Sequence, residues 1–364
     1  MPPSSSSPRI DLHSDLFLRV LDHHADPALD IPWLQSGFPA LRRGVVTDQV
    51  FAIWVDNEQY SGASATVRAL QMLAAVRRVE AASKGSFRVV RNGAEAAAAR
   101  ASGVLAGWLW LESGAPIAND PALLSVFRDL GIRGMTLTWT TNLPWAGSST
   151  DPQDPARGLA PLGREIVREM NRLRLIVDVS HTSDATAFDA IALAEFPVVA
   201  SHSGCRALCD RPRNVSDDLM RAIAETGGVL GVLAVPQFLS IEWEPAWRAL
   251  SGREIPAIGD ADPEAPESRA ARVHALRPLL EGAAQVTIER YLDHLCHAVD
   301  CVGVEHVALG SDFDGIWATP VGMESAACWP AVAEGLARRG FVADEVQRIM
   351  GGNALRVLTA GEQA

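Results

Sequence analysis

The sequence predicts an α/β fold, a (β/α)8 TIM-type barrel with an extra C-terminal helix. Three observations carry that expectation. Eight short apolar runs of β type recur along the chain, helical stretches separate most of them, and 364 residues suffice for one barrel domain. The β-type runs are 9–15, 45–55, 104–111, 131–140, 175–181, 197–202, 228–235 and 306–312. Helical spacing marks 65–82, 94–101, 121–130, 162–173, 184–195, 217–226, 288–299 and 331–338, with the extra helix at 345–358. Asp120, Ser183 and Ser216 stand where N-caps are expected. A doubly wound open sheet is the competitor, but no G-x-G-x-x-G turn follows the first run. The reading is therefore a Pro/Ser tail at 1–8, described as flexible, followed by one hydrolase domain at 9–364. A Pro-rich, acidic loop at 236–286 follows the seventh strand and should lie over the active-site face.

Composition narrows the function. A net charge of −12 and a pI near 5.2 argue against a nucleic-acid partner. Of 32 cationic residues only Lys84 is lysine, which removes a lysine-containing phosphate loop and a carbamylated-lysine metal bridge. Five cysteines, an odd number, suit reduced thiols better than a disulfide scaffold. No apolar run is long enough to cross a membrane, and the tail lacks the core of a secretory leader, so the expected location is cytoplasmic.

The polar residues with chemistry to offer close the β-type runs. His13 and Asp15, two apart in an extended strand, point to one side and make a half-site for a divalent metal. Glu112 closes the third run, and alone it reads equally well as a capping or salt-bridged carboxylate. The fifth and sixth runs both end in Ser-His, at His181 and His202; equivalent positions on neighbouring strands would set these rings side by side. The eighth run ends at Asp312, with Asp314-Gly315 reading as a turn. Three histidines, two aspartates and a glutamate are too many donors for one catalytic zinc. They suit two ions bridged by Glu112. His23, His24, His274, His294, His297 and His306 read as ordinary structural or surface histidines.

Several of these motifs together resemble the membrane (renal) dipeptidase family of zinc metallopeptidases, in its soluble bacterial form. They are Asp11-Leu-His-Ser-Asp15, Val177-Asp-Val-Ser-His-Thr-Ser-Asp184, Ser201-His-Ser203, Arg211-Pro-Arg-Asn-Val215, Gly310-Ser-Asp-Phe-Asp-Gly315 and Gly352-Asn-Ala-Leu-Arg-Val357. The resemblance implies a barrel with two Zn2+ per chain that hydrolyses dipeptides, L-Xaa-D-Xaa substrates among the candidates, and it allows a homodimer. Carried over residue by residue, His13 and Asp15 hold one zinc, His181 and His202 the other, and Glu112 bridges. Arg213 would bind the substrate carboxylate, and Asp312 would face the attacking hydroxide and handle its proton. Where relatives carry a substrate-contacting histidine after Leu-Thr, this chain has Trp139. Indole can donate one hydrogen bond but cannot become cationic, so Trp139 is expected to bind substrate differently. Two rival readings remain at this point: a metal-dependent amidohydrolase acting on another amide or lactam, and a zinc-binding barrel without turnover. A dipeptide panel separates them.

Overall fold

The computed structural model describes residues 7–251, 285–316 and 318–362. Its nine parallel strands are β1 (Ile10–Ser14), β2 (Asp48–Trp54), β3 (Phe87–Val89), β4 (Leu105–Glu112), β5 (Ile132–Thr136), β6 (Ile176–Asp178), β7 (Val199–Ser203), β8 (Val229–Val232) and β9 (Val307–Leu309). Eight of them close a barrel: β2 pairs with both β1 and β4, the order continues through β5 to β9, and β9 returns to β1. Each expected β run overlaps one barrel strand, with ends that differ by one to four residues, as at 131–140 against Ile132–Thr136. The short β3 was not anticipated. It pairs only with the first residues of β4, leaving the rest of that edge to β5.

Two apolar clusters hold the barrel. One joins strands to the surrounding helices; the other gathers Leu12, Val50, Trp108, Trp110, Val199 and Ala308 with Val357 and Leu358 of the C-terminal helix. Most connecting helices begin as the sequence suggests. The Ser183 side chain accepts from Thr186 N, and the Ser216 side chain from Leu219 N, satisfying amides a helix start leaves open. Asp120 instead caps the turn before its helix, which starts at Leu123.

One expected element is corrected. The closing helix at 345–358 is two short helices, Ala343–Gln347 and Asn353–Leu358, separated by a wider turn. The cause is tertiary: Gly351 lies so close to the backbone that a Cβ there would sit 2.3 Å from the Pro8 carbonyl oxygen. Pro8 is also tied down by Gln347, whose amide donates to its carbonyl; residues 1–6 of the expected tail lie outside the described residues. No helix among the described residues is long and apolar enough to cross a membrane.

Candidate metal centre and substrate cavity

Six expected donors meet at the C-terminal ends of the strands. Glu112 is the last residue of β4, His202 lies within β7, and Asp15 follows β1 directly. The Glu112 carboxylate divides between two sides. Its Oε2 lies 3.1 Å from His13 Nε2, while its Oε1 lies 3.1 Å from His181 Nε2 and 3.5 Å from His202 Nε2. His13 Nε2 is also 3.4 Å from Asp15 Oδ2, and the His181 and His202 Nε2 atoms face each other at 2.9 Å. Three overlapping triads have donor atoms within 4.8 Å of one another: His13–Asp15–Glu112, Glu112–His181–His202, and His13–His202–Asp312. Asp314 turns away from this group, accepting the Gln35 and Ser36 amides, in keeping with its structural reading.

The backbone bends sharply to deliver these groups. Ser113, His181 and Asp312 adopt left-handed φ of 80°, 67° and 67° immediately after or near strand ends. Such conformations cost about 1–3 kcal/mol each in non-glycine residues and persist where surrounding structure over-determines them. Beneath the ring, buried Asp178 accepts from Ser180 N, Ser201 N, Trp110 Nε1 and Thr136 Oγ1, linking β4 to β7. Asp11 does the same on the other side, accepting from His13 N and from the amide and hydroxyl of Ser311. Ser201 Oγ lies 2.8 Å from His202 Nδ1 and fixes that ring, leaving Nε2 aimed at the centre. Gly315 must be glycine here: a Cβ would fall 2.4 Å from both Asp15 Oδ2 and Asp312 Oδ1.

Burial and mutual charge set the protonation pattern. Burial lowers the His181 imidazole to about 4, with nearby Arg213 adding to the effect. His202 is lowered well below its usual value by burial, then by His13 and Arg213. Both rings are therefore neutral, the form that ligates metal. Burial also opposes charge on His13, but Glu112 and Asp15 outweigh it and raise that ring well above the ordinary range. Burial raises Asp312 strongly, with Asp15 and Glu112 adding to it against His13. Several buried atoms, among them His13 Nδ1 and Nε2, Asp15 Oδ1 and His181 Nδ1, have no hydrogen-bond partner. His13 Nε2, buried and unpartnered beside the Asp15 and Glu112 oxygens, fits a cation better than a packed core.

The model of the membrane dipeptidase family, peptidase family M19, matches residues 4–364. The chain belongs to that family. It is a metallo-dipeptidase, a hydrolase of peptide bonds. The chain is similar to an uncharacterized dipeptidase of Schizosaccharomyces pombe, at 29% identity over 366 residues covering 96% of this chain and 80% of the relative. It is 31% identical over 257 residues to a dipeptidase of Claviceps purpurea, covering 71% of this chain and about half, 51%, of that longer protein. Among solved structures, a dipeptidase of the same family superposes with a TM-score of 0.80 at 26% identity, over 99% of this chain and 100% of its own.

Above the donors of this metallo-dipeptidase opens a cavity of about 610 Å³. Arg213 lines it and is buried. Its Nη1 donates to Ser203 Oγ and its Nη2 to the His202 carbonyl, both at 2.7 Å, while Nε has no partner. Among the described residues no carboxylate pairs with it: Asp217 pairs with His297 and Asp218 with Arg221. Trp139 also lines the cavity, edge-on to Trp54 at 4.8 Å and 6.4 Å from the His181 ring. Sequence reasoning missed Trp54, Gln59, Arg19 and His23 on the wall. Trp54 ends β2, so the strand-end rule would have found it had apolar residues been counted. Gln237, Phe238 and Trp243 also line the cavity; the start of the expected 236–286 loop is helical, over Pro236–Leu239, Ile241–Trp243 and Glu244–Ser251, and residues 252–284, with His274, lie outside the described residues. His294 is a satisfied interior histidine, its Nδ1 accepting from Cys205 N and its Nε2 facing the Leu239 carbonyl.

Proposed function

We propose that the chain binds two zinc ions, His13 and Asp15 holding one, His181 and His202 the other, with Glu112 bridging, and that it cleaves dipeptides bearing a free C-terminal carboxylate. The observation that carries this reading is the division of the Glu112 oxygens between His13 on one side and His181 with His202 on the other. Imidazole and carboxylate donors suit zinc. Bound there, zinc would supply a hydroxide nucleophile near neutral pH and polarise the scissile carbonyl.

The protein's own groups orient the substrate and move protons. Asp312, whose carboxylate lies within 4.8 Å of the His13 and His202 ring nitrogens, takes a proton and passes it to the departing amine. Arg213 keeps three N–H hydrogens beyond its two protein contacts, enough for a forked grip on the dipeptide carboxylate. A buried guanidinium without an acidic partner supports that role. Trp139 and Trp54 shape the space for a substrate side chain, and L-Xaa-D-Xaa dipeptides belong in the test panel. Residues 9–364 act as one domain, with residues 236–251 bordering the entrance; Phe238 and Trp243 on the cavity wall support this. The free cysteines support a reducing, cytoplasmic setting.

The test is a dipeptide panel with zinc supplied, comparing free and C-terminally amidated substrates. Free dipeptides should be cleaved and amidated ones poorly, and Arg213→Met should raise KM strongly for the free form alone. Equal rates on both forms would remove Arg213 from its role.

A further inference from the structure

Arg213 stands over an aromatic ring. Its Cζ lies 5.9 Å from the centroid of Phe238, and both residues line the substrate cavity. Phe238 belongs to the Pro236–Leu239 helix that follows β8; buried Val235 and Trp243, from the same stretch of chain, line the cavity as well, with Gln237 as the polar member. The ring is held in register with the guanidinium. Asn214, next to Arg213 in sequence and buried, donates from Nδ2 to the carbonyls of Phe238 and Cys209, both at 2.8 Å, while its Oδ1 accepts Gly204 N. Gly204 lets these segments meet: a Cβ there would fall 2.5 Å from Asn214 Oδ1 and 2.8 Å from the Phe238 oxygen. The next carbonyl along, of Leu239, accepts from Arg290 Nε and faces His294 Nε2. One buried amide thus ties the loop carrying Arg213 to the helix carrying Phe238.

This arrangement bears on substrate choice, resting on the reading that Arg213 grips the C-terminal carboxylate. In any dipeptide the Cβ of the C-terminal residue is two bonds, about 2.5 Å, from the carboxylate carbon. A carboxylate forked onto Arg213 therefore starts that side chain beside Phe238. The Trp54–Trp139 pair is elsewhere, on β2 and after β5, each with two strands between it and β8 in the barrel order. The two residues of a dipeptide thus meet different walls. An apolar C-terminal side chain gains by covering the Phe238 ring, and a charged one loses hydration there. We infer that Phe238 is the specificity-determining residue for the C-terminal side chain and selects large apolar residues, with Asn214 as its positioning residue.

The test is steady-state kinetics of the zinc-loaded full chain on Ala-Xaa dipeptides, with Xaa as Gly, Leu, Phe, Asp or Lys in both configurations where chiral, beside Phe-Gly and amidated Ala-Phe. Values of kcat/KM should favour Phe and Leu over Gly by about tenfold and place Asp and Lys below Gly. Phe238→Ala should cut the ratio of Ala-Phe to Ala-Gly by about tenfold, chiefly through KM, and Phe238→Leu should restore most of it. The ratio of Phe-Gly to Ala-Gly, which reads the other wall, should stay within about twofold in both variants. Asn214→Ser, too short to reach the Phe238 carbonyl, should lower the Ala-Phe to Ala-Gly ratio in the same direction with metal content unchanged; a merely structural loss would move all substrates together. No apolar preference at Xaa, a preference that survives Phe238→Ala or Asn214→Ser, or an equal fall in both ratios would overturn the assignment. Amidated Ala-Phe separates the two readings. If it is cleaved poorly while the apolar preference is missing, only the Phe238 subsite falls; if free and amidated forms react equally, the Arg213 grip falls and the subsite with it.

Discussion

On the β1 side of the donor ring, one imidazole sits among carboxylates: His13 lies against Asp15 and one oxygen of Glu112. On the β6–β7 side the proportions reverse, with His181 and His202 sharing the other Glu112 oxygen. The supports differ as well. Asp11 with Ser311 steadies the first half, while Asp178, Ser180 and Ser201 steady the second. The two halves are thus an oxygen-rich and a nitrogen-rich pocket joined by a single carboxylate. Nitrogen donors favour zinc over hard cations, so the β6–β7 half should hold zinc more selectively than the β1 half.

The largest effect is expected where the halves meet. Asp312→Asn should lower kcat by about 10²- to 10⁴-fold, the usual contribution of a positioned proton-transfer group, with metal content unchanged. Loss of an ion in that variant would instead make Asp312 a ligand of the β1 half. A smaller effect should separate the two supports. Asp178→Asn should weaken the second ion by about 10- to 100-fold and leave the first, with Asp11→Asn doing the converse. Competition with a chromogenic zinc chelator reads both affinities, and equal loss of both ions in each variant would show that the halves are not independent. The smallest effect concerns the wall rather than the ring. Trp139→Phe keeps the ring against Trp54 and deletes the N–H. Dipeptide preferences should reorder while the best rate stays within about tenfold, well below the roughly 100- to 1,000-fold loss expected for a missing oxyanion donor. A uniform loss of that larger size would assign the indole N–H to the reacting centre.

The donor ring was legible in sequence because its chemistry is concentrated: histidines and carboxylates that end apolar runs have few structural reasons to be there. The eight barrel strands were legible for a related reason, since their apolar runs fit burial on both faces. What supports and surrounds the ring was harder to read. Asp11 and Asp178 stand inside the quoted motifs, but their hydrogen bonds reach residues hundreds or tens of positions away, such as Ser311 and Trp110. Arg19, His23 and Gln59 reach the cavity from a helix and from connections whose paths no local periodicity fixes. The three-residue β3 depends on pairing with β4, and the break in the closing helix depends on contact with Pro8 and Arg9. Both are tertiary effects that propensity does not report.

The account rests on Glu112 serving both halves at once, and metal content per chain tests this most directly. Protein purified without chelator and saturated with zinc should approach two equivalents by elemental analysis, and Glu112→Ala should lose much of that content while remaining folded by circular dichroism. A fully loaded wild-type protein holding only one ion per chain, or a Glu112→Ala variant that still holds two, would contradict it.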